Sequence, residues 1–116
     1  MDFRDLLAFQ KAYSIAMEIF EVSKSFPKEE KYSLIDQIRR SSRSVCINIS
    51  EGYRKRMYPL HFVSKMSDAD MENSETQVWL DFALACEYFE KSTDSEKGII
   101  RAVSFQCSRS CGLIKD

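Results

Sequence analysis

Apolar side chains recur at steps of three and four along nearly the whole chain, and the residues that would interrupt that rhythm are scarce: three glycines and two prolines in 116 residues. A sandwich or barrel of short strands needs turn residues every few positions, so the chain is restricted to long helices. Its length is that of one domain, spanning residues 1–116, with no room for a second core. A content of 44% hydrophobic and 30% charged residues describes a soluble globular protein. Nowhere do about 18 apolar residues run together as a membrane span requires.

The spacing predicts four helices. In the first, from about residue 2 to 25, Leu6, Phe9, Tyr13, Ala16, Met17 and Phe20 share the inward face, and Ala12, Ile15, Ile19 and Val22 form a further apolar strip beside it. Phe26-Pro27 stops this helix and opens the next, with Glu29 and Glu30 near the positive end of its dipole. The second helix, from about residue 28 or 30 to 54, divides into three sectors on a wheel of about 100° per residue. Leu34, Ile35, Ile38, Val45, Cys46, Ile49 and Tyr53 make its core face; Gln37, Ser41, Ser44, Asn48 and Glu51 make a polar stripe beside that face; Arg39, Arg40, Arg43 and Arg54 lie opposite it. Gly52 reads as a left-handed cap ending the helix, with Arg54, Lys55 and Arg56 suited to the negative dipole end. A third, acidic helix is expected from about residue 60 to 91, with Phe62, Val63, Met66, Ala69, Leu80, Ala83 and Leu84 inward. A fourth, from about residue 95 to 114, carries Ile99, Ile100, Val103, Cys107 and Ile114. Short connections between four long helices give an all-α, up-down-up-down four-helix bundle.

The formal net charge is −1, which does not describe a strongly basic nucleic-acid binder. Charge is nevertheless segmental: residues 28 to 56 hold eight basic and four acidic side chains, whereas residues 66 to 97 hold two basic and nine acidic ones. Any anionic ligand belongs on the first stretch. The sequence opens Met1-Asp2-Phe3-Arg4-Asp5 without the pattern of an export signal, so a reducing cytoplasm with four free thiols is the expectation.

Arg39, Arg40, Arg43 and Arg54, extended by Lys55 and Arg56, could hold phosphates, because guanidinium forks match phosphate oxygens and several cations on one face add their fields. The plainer alternative is a solvated face, or one salt-bridged to the acidic third helix. The stripe of Gln37, Ser44, Asn48 and Glu51 could take a small molecule or metal. A hydrogen-bond network with Glu75, Thr76 and Gln77 explains it more economically. Cys107 and Cys111 stand one helical turn apart but lack further metal ligands at matching spacing. His61, the single histidine, has no nucleophile arranged around it. No phosphate loop or nucleophile elbow is present, so neither enzymatic activity nor a cofactor or metal is expected.

Trp79, Phe82, Cys86 and Phe89 form an apolar stripe on the third helix, as Ile15, Ile19 and Val22 do on the first. More apolar strip than one slim bundle can cover predicts self-association, with Ile15, Ile19, Val22, Trp79, Phe82 and Phe89 at the subunit boundary.

The segments Phe3-Arg4-Asp5-Leu6 with Gln10-Lys11-Ala12, Phe26-Pro27-Lys28-Glu29-Glu30, Tyr32-Ser33-Leu34, Gln37-Ile38-Arg39-Arg40-Ser41, Ser44 through Gly52, and Glu75-Thr76-Gln77 stand in an order and spacing that spans nearly the whole chain. Together they resemble the bacterial four-helix-bundle family encoded in intervening sequences of 23S ribosomal RNA genes. The resemblance implies a small protomer assembling into a homopentamer, without known catalytic activity. A related branch, the accessory variability determinant of diversity-generating retroelements, binds a reverse transcriptase and nucleic acid. The resemblance therefore implies a scaffold or adaptor whose partner is RNA, DNA or a nucleic-acid-associated protein; the lack of a long apolar run leaves no membrane partner expected.

Overall fold

The computed structural model describes residues 2–89; the expected fourth helix, with Cys107 and Cys111, lies outside them. Among the described residues there are three α-helices and no strand: α1 (Leu7–Ser23), α2 (Asp36–Arg54) and α3 (Pro59–Ala85). No helix among them is long and apolar enough to cross a membrane. Helix α2 packs against both α1 and α3.

The first helix begins later than its apolar spacing predicts. Residues Phe3–Asp5 form a 3-10 turn, closed by the Asp2 carboxylate accepting from the Phe3 N–H at 2.7 Å and by the Asp2 N–H donating to Asp5 Oδ2 at 3.0 Å. Leu6 is extended, and α1 starts only after it. Its buried residues are Ala12, Ile15, Ala16, Ile19 and Ser23, so most of the strip expected to be supplementary turns inward, joined by Ala16 of the other. Tyr13 and Met17, expected inward, are 55% and 46% exposed. Both strips satisfy a 3.6-residue period; the inward arc takes Ala12 from one and Ala16 from the other, and these small residues pack with Val45, Cys46 and Ile49 of α2.

The entry to α2 is also more articulated than expected. A 3-10 turn at Lys28–Glu30 runs into a π turn at Lys31–Ile35, and regular α geometry starts at Asp36. The widened turn lets the adjacent Leu34 and Ile35 both point into the core. From there α2 continues unbroken to Arg54.

Gly52 corrects a further expectation. No glycine among the described residues has a positive φ, and Gly52 is buried within α2 where α3 crosses it. A Cβ there would stand 2.5 Å from Met66 Cε and 3.3 Å from Lys65 Cβ, so the missing side chain serves close helix approach. Pro59 opens α3, which ends at Ala85 before the predicted 91; Glu87, at φ 60°, follows its end.

The interior is layered. One apolar cluster joins Ile15, Ile19, Phe26, Leu34, Ile35, Ile38, Leu80, Ala83 and Phe89; a second joins Ala12, Ala16, Val45, Cys46, Ile49, Met66 and Ala69. Between them along α2 and α3 lie the buried polar residues Ser41, Ser42, Asn73 and Thr76. The Ser41 and Thr76 hydroxyls share a hydrogen bond of 2.8 Å, and Thr76 also donates to the Glu72 carbonyl at 2.9 Å. Burying these groups costs little because each hydroxyl finds a partner.

Candidate functional site

The cationic residues of α2 do not form one face. Arg39 and Arg40 point about 100° apart around the axis, and their long side chains reach different neighbours. Arg39 turns to α1: its Nε donates to Ser23 Oγ at 2.8 Å, its Nη2 to the Phe20 carbonyl at 3.4 Å, and its guanidinium lies 4.7 Å from the Phe20 ring centre. Arg40 turns to α3 and pairs with Glu75 and, at 3.3 Å, with Glu72. Burial opposes its charge, but the fields of the two glutamates outweigh that and hold the guanidinium above its ordinary range. Arg43 is exposed, 5.8 Å from the Phe20 ring. Arg54, Lys55 and Arg56 are exposed at the far end of α2.

Two members of the polar stripe, Ser41 and Glu51, reach α3. Ser41 does so through Thr76. Glu75 accepts from Arg40 and, at 3.4 Å, from Trp79 Nε1. Asn48 donates to the Ser44 carbonyl of its own helix at 3.0 Å, and Glu51 pairs with Lys65 across to α3 at 2.9 Å. Gln37 is half-buried. Among the described residues no cluster of His, Cys, Asp and Glu is arranged to hold a metal.

Most of the strip expected at a subunit boundary lies inside the protomer. Ile15, Ile19 and Phe89 are buried in the first apolar cluster, and Val22 and Trp79 pack against it. Phe82 alone of that set is exposed, at 55%. Most of both strips therefore shares one interior.

Surplus apolar surface lies instead between α1 and α2. Phe3, Phe9, Tyr13, Ala16, Met17, Cys46 and Ile47, with Arg43 and Ser50, line an open groove of about 400 Å³. Phe3 and Phe9 meet edge to face with ring centres 5.1 Å apart, and Phe9 stacks on Tyr13 at 6.1 Å. Cys46 forms its floor, and burial pushes that thiol up to about 11. The groove was not evident from sequence reasoning, although one signal was available: Ile47, at about 280° on the same wheel, is an isoleucine within the arginine sector.

The profile of the family described as 23S rRNA-intervening sequence protein matches residues 4–104. The chain belongs to this family. Its fold is similar to that in the crystal structure of a protein of unknown function from the S23 ribosomal protein family of Bacteroides thetaiotaomicron. That chain is 24% identical, with 95% of this chain and 96% of that one covered at a TM-score of 0.82. A comparison with curated proteins finds no match.

Proposed function

We propose that this family member is a non-enzymatic, self-assembling scaffold or adaptor of the cytoplasm, working as a homo-oligomer, a pentamer by its family resemblance, with nucleic acid or a ribonucleoprotein as partner. The observation that carries the assembly reading is the α1/α2 groove, where Tyr13, Met17 and Ile47 stand 55%, 46% and 54% exposed in one apolar patch. Clustered apolar surface of this kind marks contact with another macromolecule. The free thiols of Cys46 and Cys86 fit a reducing compartment. Exposed cations at Arg54, Lys55 and Arg56 support an anionic partner.

Native mass spectrometry and sedimentation velocity test the assembly. The full chain should run as a discrete oligomer, and Ile47→Asp should shift it toward the 13.5 kDa protomer while leaving its helical circular dichroism intact. A wild-type chain that stays monomeric at micromolar concentration overturns the scaffold reading.

A further inference from the structure

The connection between α2 and α3 gathers cations and aromatic rings on one short segment, Tyr53-Arg54-Lys55-Arg56-Met57-Tyr58-Pro59-Leu60-His61. Backbone hydrogen bonds hold it in tight turns: the Arg56 N–H donates to the Tyr53 carbonyl at 3.2 Å and the Tyr58 N–H to the Lys55 carbonyl at 2.8 Å. Pro59 then starts α3, whose first bond runs from the Phe62 N–H to the Tyr58 carbonyl at 2.9 Å. Reversal within so few residues places every side chain of the segment at one end of the molecule.

Two cations of the turn, Lys55 and Arg56, stand beside rings. The Arg56 guanidinium lies 4.1 Å from the Tyr53 ring centre while its Nη1 donates to the Tyr53 carbonyl at 2.9 Å. Lys55 Nζ is 5.9 Å from the Tyr58 ring, and Tyr58 meets His61 edge to face at 6.2 Å. None of the three cations enters an ion pair among the described residues. Asp2, an acid whose carboxyl registers the field of Arg54, is itself held by Arg4 at 2.8 Å. Around them Tyr58, Met57 and Leu60 are 60%, 79% and 87% exposed, so the turn offers flat and apolar surface to water.

We infer that this turn is a contact site for an unpaired nucleic-acid strand, with Tyr58 stacking on a base and Arg54, Lys55 and Arg56 holding the flanking phosphates. The inference rests on the nucleic-acid reading above and names its substrate class and place. Stacking needs an exposed base face, which a duplex hides, and aromatic rings set next to cations match the alternation of base and phosphate along a single strand. Arg39 and Arg40, midway along α2, cannot serve in the same way, because they are already committed to Ser23 and to the glutamates of α3.

Fluorescence anisotropy with the full chain, using a labelled oligouridylate of about 10 nucleotides and an RNA hairpin duplex of equal charge, tests this. The unpaired strand should bind at least about tenfold more tightly than the duplex, with log K falling against log salt at a slope of about −2 for three phosphate contacts. Tyr58→Ala should weaken binding about tenfold and leave that slope unchanged, Tyr58→Phe should restore it, and Arg54→Ala should reduce the slope by about 0.7. Equal binding of the duplex, with Tyr58→Ala silent, overturns the unpaired-strand inference but leaves nucleic acid as the partner. No binding of either RNA at low salt overturns both. Retention on phosphatidylserine vesicles that Leu60→Ser abolishes, without RNA binding, assigns the turn to lipid and likewise overturns the inference.

Discussion

Helix α2 has two seams, and they are built differently. Toward α3, Gly52 lets the backbones close on each other, the Ser41–Thr76 bond fixes the middle, and Arg40 and Glu51 reach across to Glu72, Glu75 and Lys65. Toward α1, the polar contacts gather at one end, where Arg39 holds Ser23 and Phe20, and the other end opens into the apolar groove above Cys46. One helix thus uses one side for a fixed pairing and leaves the other with surface to spare. The close seam supports the fold; the open seam is where the proposed second copy would dock.

The sharpest stress on this contrast is at Ile38, which is fully buried in the cluster joining all three helices. Ile38→Ala should lower unfolding free energy by about 2–5 kcal/mol in urea melts. Gly52→Val, placing branched carbon where Met66 and Lys65 already stand, should cost about 1–3 kcal/mol; an unchanged melting curve would mean that the α2–α3 seam is looser than described. Thr76→Val removes the bond to Ser41, but the Ser41 hydroxyl keeps the Ile38 carbonyl as acceptor at 3.3 Å, so about 1 kcal/mol is expected. On the open seam the pattern should invert: Met17→Ser with Ile47→Ser should change protomer stability by no more than about 0.5 kcal/mol while reducing association in sedimentation.

The smallest effect lies at the edge of the first cluster, where Tyr88 donates its hydroxyl to Glu30 Oε2 at 3.0 Å. That bond, with burial second, pushes the phenol up to about 12, against about 10 in an unfolded chain. The folded state therefore keeps a proton that the unfolded state loses. The contribution is fully present below about pH 10 and disappears as pH rises through about 12. Urea midpoints taken across that window should fall more for the wild type than for Tyr88→Phe.

The periodicity made α1, α2 and α3 legible, along with the breaks around Phe26-Pro27 and Tyr58-Pro59, because steps of three and four have few other solutions. It could not say which arc of α1 turns inward, since its apolar arc is wider than one neighbour can cover and the choice depends on how near α2 comes. Gly52 has the composition of a cap and the position of a crossing, and only the location of Met66 separates the two. The arginines were legible as a sector of a wheel, but a wheel places Cβ atoms. Side chains as long as Arg39 and Arg40 travel to different helices from adjacent positions. The expected interior partner of the polar stripe was legible in Thr76, whereas Glu75 is drawn away by Arg40.

The band of hydroxyls and amide between the two apolar clusters has a bearing on errors of assembly. Helices with greasy faces tolerate many mutual offsets, because one aliphatic contact substitutes readily for another. Displace α3 by two turns, however, and the bond between Thr76 and Ser41 is lost, leaving each hydroxyl only the carbonyl of its own helix and an acceptor site turned toward hydrocarbon. Mismatched dockings are thereby penalised at a single shared checkpoint, and the chain can use interchangeable side chains elsewhere without losing a unique alignment.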